Sequence, residues 1–459
     1  MSKTLFGTDG VRGVANQDLS PELALALGRV AAAFAVERDG RPRILLGRDT
    51  RLSSTMLESA FAAGCCSSGC EVFQAGVIPT GTLARFVRED GYSMGAMVSA
   101  SHNPAEDNGI KLIGSDGRKL PDELELEFEK RLHAEGAPRA EPHAIGTVSA
   151  LDGLLERHIE WTRSVFPARL HGLRVLVDCA HGAATEWARP VLEAAGAEVV
   201  ELGVQPNGLN INAEGGATKP EYLLRATLEA KAQVGLAFDG DADRVVLADE
   251  KGRLVNGDHI LALWALHRKR LGTLHPPIVV GTVMSNMGME RLLADHGVHL
   301  DRAPVGDRYV VERMDATGAL AGGEQSGHIV FREKAPTGDG IVTALEVLQV
   351  IAQTGKALAE LADLYEAWPQ VLINVRVRNR SGWRTEAVER GIAEAERILG
   401  KEGRLVVRAS GTQPILRVMC EHQDRNVRDS VAERILELLH DEAGGSVYSR
   451  VELTDALGD

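Results

Sequence analysis

The chain has 459 residues, of which 44% are hydrophobic and 25% charged, and its formal net charge is −14. At roughly 150 residues per domain that is about three domains of ordinary globular composition, which excludes a mainly disordered or low-complexity chain. The negative field opposes nucleic acid and acidic membranes, so a phosphate-bearing ligand needs a local cluster of Arg, Lys, metal or backbone amides.

No apolar run approaches the ~20 residues of a membrane span, and the opening Met-Ser-Lys-Thr-Leu-Phe-Gly has no stretch of signal-peptide length. The expected location is the cytoplasm, with no membrane or nucleic-acid partner. Cys65, Cys66 and Cys70, three of five cysteines, crowd one apolar stretch. Two of them are adjacent and no second pair lies nearby, so reduced thiols fit better than a disulfide framework or a zinc site.

In chain order, periodicity predicts strands over 43–46, 71–74 and 93–98 with helices over 53–69 and 80–89 between them. A polar loop, 99–108, follows, and Gly109–Ile113 returns as a neighbouring strand. The order recurs with strands 174–178, 198–201 and 234–238, helices 184–195 and 220–231, loop 239–243 and strand 244–248. It recurs again with strands 278–280, 299–302 and 319–321, helices 286–296 and 306–316, loop 322–327 and strand 328–331.

After a helix over 339–353 the pattern changes to strand 370–377, helix 384–399, strands 404–408 and 415–421, and helix 426–440. The expected fold is therefore α/β: three related α/β domains with mixed, largely parallel sheets, plus a smaller C-terminal α+β domain, around a central cleft. The expected boundaries are 1–150, 151–252, 253–366 and 367–445, with 446–459 as a tail that has no clear docking pattern. Ligands bind beyond the carboxyl ends of strands in such sheets, so the three equivalent loops converge on one cleft.

Asp239, Asp241 and Asp243 alternate straight after the apolar run 234–238. Three carboxylates in one short loop repel each other unless a cation joins them, and hard oxygen ligands point to Mg²⁺. A solvated acidic turn is the plain alternative. An EF-hand loop fails because Arg244 stands where the sharp turn needs Gly. A haloacid-dehalogenase type of phosphotransferase would make Asp239 itself the nucleophile, although that pattern calls for Thr or Val where Asp243 stands.

Ser101 sits in a Pro-ended loop, where a serine beside a cation can attack phosphorus, though most loop serines are turn residues or caps. Ser99 is the weaker candidate, and no G-x-S-x-G elbow suggests acyl chemistry. Arg408-Ala-Ser-Gly-Thr412 with Arg417 suits a phosphate dianion held by backbone amides and forked donors, with an ordinary Ser-Gly-Thr turn as the alternative.

Five ordered segments together resemble the α-D-phosphohexomutase superfamily, and most closely its bacterial branch acting on phosphoglucosamine. They are Phe6-Gly-Thr-Asp-Gly-Val-Arg-Gly13, Ser99-Ala-Ser-His-Asn-Pro104 with Asn108-Gly-Ile-Lys111, Asp239-Gly-Asp-Ala-Asp-Arg244, Gly323-Glu-Gln-Ser-Gly-His328 and Ser410-Gly-Thr412. Gly281-Thr-Val-Met-Ser-Asn286, Val305-Gly-Asp-Arg-Tyr309 and Gln325 carry the branch assignment.

The resemblance implies a four-domain, heart-shaped enzyme, monomer or homodimer, that interconverts glucosamine 6-phosphate and glucosamine 1-phosphate. A phosphorylated Ser101 and a hexosamine 1,6-bisphosphate intermediate carry the reaction, which supplies precursors for UDP-N-acetylglucosamine and the cell wall. It implies one Mg²⁺ per chain on Asp239, Asp241, Asp243 and the phosphoserine. Glu324 and Ser326 would grip sugar hydroxyls, and Arg408, Ser410, Gly411, Thr412 and Arg417 the non-reacting phosphate, with Thr8 and Arg244 as further substrate contacts.

Arg12 and Lys111 would stabilise phosphoryl oxygens or the incoming hydroxyl. Lys111 and His328 both match proton-transfer positions, and either is equally a substrate-orienting contact. Gln413 stands where the family usually has Glu, and Ala409 where Pro or Lys is common. Alternatives are a phosphoglucomutase or phosphomannomutase of the same superfamily, the aspartyl-phosphate enzyme above, and a non-catalytic sugar-phosphate sensor. A hinge over 365–372 is expected to swing the fourth domain over the ligand.

Overall fold

Each predicted βαβ block folds into one and the same strand order. In the computed structural model, which describes residues 5–7, 10–39, 42–133, 138–378, 382–410 and 415–454, the first block sets Glu71–Val77, Arg43–Arg48, Met94–Val98 and Asp107–Gly114 side by side. The second sets Glu198–Leu202, Arg174–Asp178, Val234–Phe238 and Val245–Asp249 in that order, and the third His299–Ala303, Ile278–Thr282, Ala321–Gly323 and Ile329–Phe331. In every copy three strands are parallel and the fourth returns antiparallel. The loop before each returning strand therefore lies at a carboxyl end.

The first sheet reaches seven strands by adding Phe6–Gly7 and Gly10–Val14 at one edge and Val148–Ala150 at the other. Helices Pro21–Asp39, Asp122–His133, Leu154–Val165 and Gly257–Arg270 lie outside the predicted set. Pro21–Asp39 is apolar almost all round and packs against Ser54–Ser67. There a Cβ on Gly28 would collide with the Phe61 carbonyl, and one on Gly64 with that of Leu25, so glycine permits the approach.

One apolar core runs through the first three domains, joining Leu45 and Phe86 to Val177 and Phe238 and on to Phe331 and Leu345. The fourth domain has a core of its own around Val371, Leu416, Val431 and Leu439. Its sheet is wholly antiparallel, in the order Gly403–Ala409, Ile415–His422, Gln370–Arg376, Ser446–Glu452. That last strand corrects the expectation of an undocked tail. Its side chains are mostly exposed and give no apolar periodicity, but its backbone completes an edge that would otherwise leave donors and acceptors unpaired. Leu453, fully buried, then packs with Leu372 and Met419.

All five cysteines are free and buried. Burial pushes the thiols of Cys70 and Cys420 up to about 12. No helix among the described residues is long and apolar enough to cross a membrane.

Between the first two domains Arg85 stacks over Trp161, 4.1 Å from the ring centroid, and its Nη2 meets His158 Nδ1 at 3.0 Å. Burial, then the Arg85 charge, hold His158 down at about 3 from its ordinary 6.5. The unfolded chain takes up this proton near pH 6.5 and the folded chain only near 3, so stability is lost as pH falls through that window. Between pH 7.5 and 5.5 this one group costs about 1.4 kcal/mol. Chemical denaturation of His158→Gln should show a pH dependence shallower than wild type by that amount; an unchanged slope would mean that His158 is not the group responsible.

Candidate active site

Ser101 follows the strand Met94–Val98 with φ +53°, a left-handed conformation that costs a non-glycine residue roughly 1–2 kcal/mol. Its hydroxyl, buried with the rest of the residue, donates to Asp239 Oδ2 of the second domain at 2.5 Å. Gly240 makes the approach possible, since a Cβ there would lie 2.5 Å from the Ser101 carbonyl oxygen.

Asp239, Asp241 and Asp243 are all buried, and one carboxylate oxygen of each lies within 4.8 Å of the others. Ala242, at φ +55°, turns the loop so that its N–H donates to the Asp239 carbonyl. Lys111, on the returning strand of the first sheet, donates through Nζ to Asp241 Oδ2 at 2.6 Å and Asp243 Oδ2 at 3.1 Å. Thr80, which opens the helix Thr80–Glu89, gives its hydroxyl hydrogen to the same Asp241 oxygen at 2.6 Å.

Burial, and then the charges of Asp243 and Asp241, push Asp239 well above the usual carboxylate range. Asp241 Oδ1 is buried with no hydrogen-bond partner. An orphaned oxygen among converging carboxylates suits a hard divalent cation. Among the described residues this is the one His, Cys, Asp or Glu cluster that could hold a metal ion.

Arg12 faces Gly109 across the first sheet, so its side chain lies on the same face as that of Lys111. Arg244 donates its N–H to Asp239 Oδ1 at 3.2 Å, holds its guanidinium 3.9 Å from Asp243, and forms a backbone bridge with His328. That bridge joins the acidic loop to the third copy's loop. There Glu324 Oε1 accepts from Gly306 N at 3.0 Å, Ser326 is half-buried, and buried His328 has Nε2 3.5 Å from Asp307 Oδ2.

In the fourth domain Arg408 and Arg417 are direct cross-strand partners. Burial first, then Arg417, lowers the Arg408 pKa, and Glu324 opposes the shift. Like charges held opposite each other in a sheet work against folding. Ser410 is buried beside them and donates its N–H to the Ile415 carbonyl. Thr8, Gly411, Thr412 and Gln413 lie outside the described residues.

The fold thus brings together Ser101, Lys111 and the three aspartates, and links Arg244 to His328. Ser99, the weaker nucleophile candidate, commits its hydroxyl to Asp49 Oδ2 at 2.6 Å and so is not poised for attack. Thr80, Asp49, Arg51 and Asn212 are absent from the predicted set. Pro79-Thr80 signals a helix start but no chemistry, and Asn212 reaches the serine loop from the second domain.

Profiles of the phosphoglucomutase/phosphomannomutase family match in chain order: alpha/beta/alpha domain I over residues 3–139, domain II over 156–252, domain III over 256–368, and the C-terminal domain over 372–438. The phosphoglucosamine mutase of Maricaulis maris is 48% identical over 436 residues, 94% of this chain and 97% of that protein. A phosphoglucomutase/phosphomannomutase family protein from Burkholderia thailandensis has the same fold, with TM-score 0.83 at 24% identity over 96% of this chain and 98% of that one. The N-acetylphosphoglucosamine mutase of Aspergillus fumigatus, solved with GlcNAc-6P and magnesium, gives TM-score 0.68 at 20% identity over 96% of each chain. These likenesses do not favour the aspartyl-phosphate alternative. With four family domains in order and near-full-length identity to curated relatives, the chain belongs to the phosphoglucosamine mutase family, within the phosphohexomutases.

Proposed function

We propose that this enzyme interconverts glucosamine 6-phosphate and glucosamine 1-phosphate, with Ser101 carrying the travelling phosphoryl group. The observation that carries this reading is the buried hydrogen bond from Ser101 Oγ to Asp239, which puts one hydroxyl against a triad fit for a cation. The name of the Maricaulis maris relative supports the sugar, and the Aspergillus fumigatus complex supports Mg²⁺ and a sugar-phosphate ligand.

Phosphoserine transfers its phosphoryl group to a sugar hydroxyl: the Ser101 Oγ–P bond breaks, a new O–P bond forms, and a hexosamine 1,6-bisphosphate results. The bisphosphate turns over in the cleft, and its other phosphoryl group returns to Ser101. Mg²⁺, held by Asp239, Asp241, Asp243 and the phosphorylated serine, supplies charge neutralisation at the phosphoryl oxygens when bound.

Lys111, anchored by two carboxylates of the triad that also receives the Ser101 hydroxyl, presents an ammonium within that cluster, from which it can supply the proton the serine oxygen needs and take it back. Arg12, on the same sheet face, adds positive charge for the equatorial oxygens. Arg408, Ser410 and Arg417, with Gly411 and Thr412, grip the phosphate that is not reacting, while Glu324, Ser326, His328, Arg244 and Thr8 orient the sugar. The separate core of the fourth domain supports closure about 365–372, which excludes water that would hydrolyse the phosphoenzyme. We place the enzyme in the cytoplasm, as a monomer or homodimer, feeding UDP-N-acetylglucosamine and cell-wall synthesis.

Turnover with glucosamine, N-acetylglucosamine, glucose and mannose phosphates tests the sugar. Glucosamine phosphate should have the highest kcat/KM, by at least about tenfold, since a site built around a polar substituent rejects analogues that leave its groups unpaired. A glucose or mannose preference would overturn the assignment.

A further inference from the structure

The strand end Arg43–Arg48 and the loop after it, Asp49-Thr50-Arg51, are no part of the reaction described above, yet Asp49 and Arg51 are among the most buried charges in the chain. Most of their side-chain bonds point toward the serine loop or toward each other. Asp49 Oδ1 accepts from Arg51 N at 3.0 Å and Ser54 Oγ at 2.7 Å, and Oδ2 accepts from Arg51 Nε at 2.8 Å and Ser99 Oγ at 2.6 Å. Ser99 Oγ in turn accepts from Ser101 N at 2.9 Å.

Arg51 turns its other two nitrogens on the loop's carbonyls. Nη2 donates to Ser101 O at 2.9 Å and Asn103 O at 2.8 Å, while Nη1 donates to Asp107 O at 3.0 Å and to Pro104 O. One planar fork thus ties both ends of the loop, which a single flexible ammonium cannot do. From the second domain Asn212, itself at φ +56°, donates through Nδ2 to Ser101 O at 2.8 Å and Asn103 O at 3.1 Å. The N–H and C=O of Ser101 are therefore both pinned by side chains, and its left-handed backbone is determined from two domains at once.

A strained conformation persists only where its surroundings impose it, and it is costly wherever it serves no purpose. Here the strain aims one hydroxyl at Asp239. We infer that Asp49, Ser99, Arg51 and Asn212 form a positioning cradle that fixes the Ser101 backbone for phosphoryl transfer, and that Asn212 makes this fixing depend on the second domain. The cradle sets the rate of transfer rather than the affinity for sugar, because every side-chain hydrogen bond it donates goes to the serine loop or to another of its members. A reacting atom misplaced by about 1 Å loses on the order of 10²-fold in rate.

The inference rests on Ser101 being the phosphorylated residue, so the experiment first maps the phosphate in wild type. Full-length wild type, Arg51→Lys and Asn212→Asp are charged with glucose 1,6-bisphosphate and mixed with glucosamine 6-phosphate in single turnover. Asn212→Asp keeps size and backbone tolerance but cannot donate, so it stays informative if Arg51→Lys fails to fold. The expected result is a transfer rate constant at least tenfold lower, with the amplitude per folded protein and the dependence on sugar concentration within about twofold of wild type.

A purely structural role would lower the amplitude and leave the rate constant of the remaining active molecules unchanged, which would overturn the cradle. Wild-type rate and amplitude in Asn212→Asp would overturn it as well. Phosphate found away from Ser101 in wild type would instead remove the reading on which the inference rests.

Discussion

Ser101→Ala should lose turnover by on the order of 10⁴-fold, about 5.5 kcal/mol of barrier, with sugar-phosphate binding changed less than about threefold. In the proposed mechanism the hydroxyl oxygen is the atom that bonds phosphorus, and no neighbour stands ready to replace it. Ser99 is bonded to Asp49 and to the Ser101 N–H. The left-handed backbone supplies an internal control. Alanine at φ +53° carries the same strain as serine, whereas Ser101→Gly relieves it. If strain alone mattered, the glycine variant would differ sharply from alanine. Both should be equally inactive by steady-state assay, and glycine the more stable in denaturant. Retention of more than a few per cent of turnover by either would require a different nucleophile.

The second large effect lies in the fourth domain, on phosphate binding. Arg408 and Arg417 face each other across neighbouring strands, and opposed like charges cost a sheet about 0.2–1 kcal/mol. A phosphate dianion between them reverses that sign through charge-assisted hydrogen bonds worth about 1.5–3 kcal/mol each. Arg417→Gln should therefore raise KM by roughly 10- to 150-fold. Steady-state kinetics beside denaturant titrations, which show that the variant is folded, check it. A variant that lost stability while keeping its KM would show that the pair serves the fold and not a phosphate.

The threefold repeat was legible because each copy alternates apolar strands with helices at the same spacing, and because the chemistry sits in one equivalent loop. Asp239, Asp241 and Asp243 could be found from sequence since three acids at alternate positions have no easy explanation without a cation. Asp49 and Arg51 could not. They read as ordinary polar residues after a strand, and their meaning depends on a loop fifty or more positions away. Thr80 and Asn212 were hidden for the same reason, as each acts across a domain boundary on a residue over one hundred positions distant.

The C-terminal strand escaped because edge strands with solvated side chains carry little periodicity. Its evidence is a backbone ladder with Gln370–Arg376, which sequence does not display. Pairing of Lys111 with two of the three aspartates was likewise invisible, although each residue had been singled out for its own sake.

The most direct measurement is phosphopeptide mapping of fully active enzyme after charging with sugar bisphosphate, with and without hydroxylamine. The account predicts one phosphate, acid-stable and insensitive to hydroxylamine, on the peptide containing Ser101 and absent from Ser101→Ala. A hydroxylamine-labile phosphate on the peptide containing Asp239, or a phosphate that persists in the alanine variant, would contradict it.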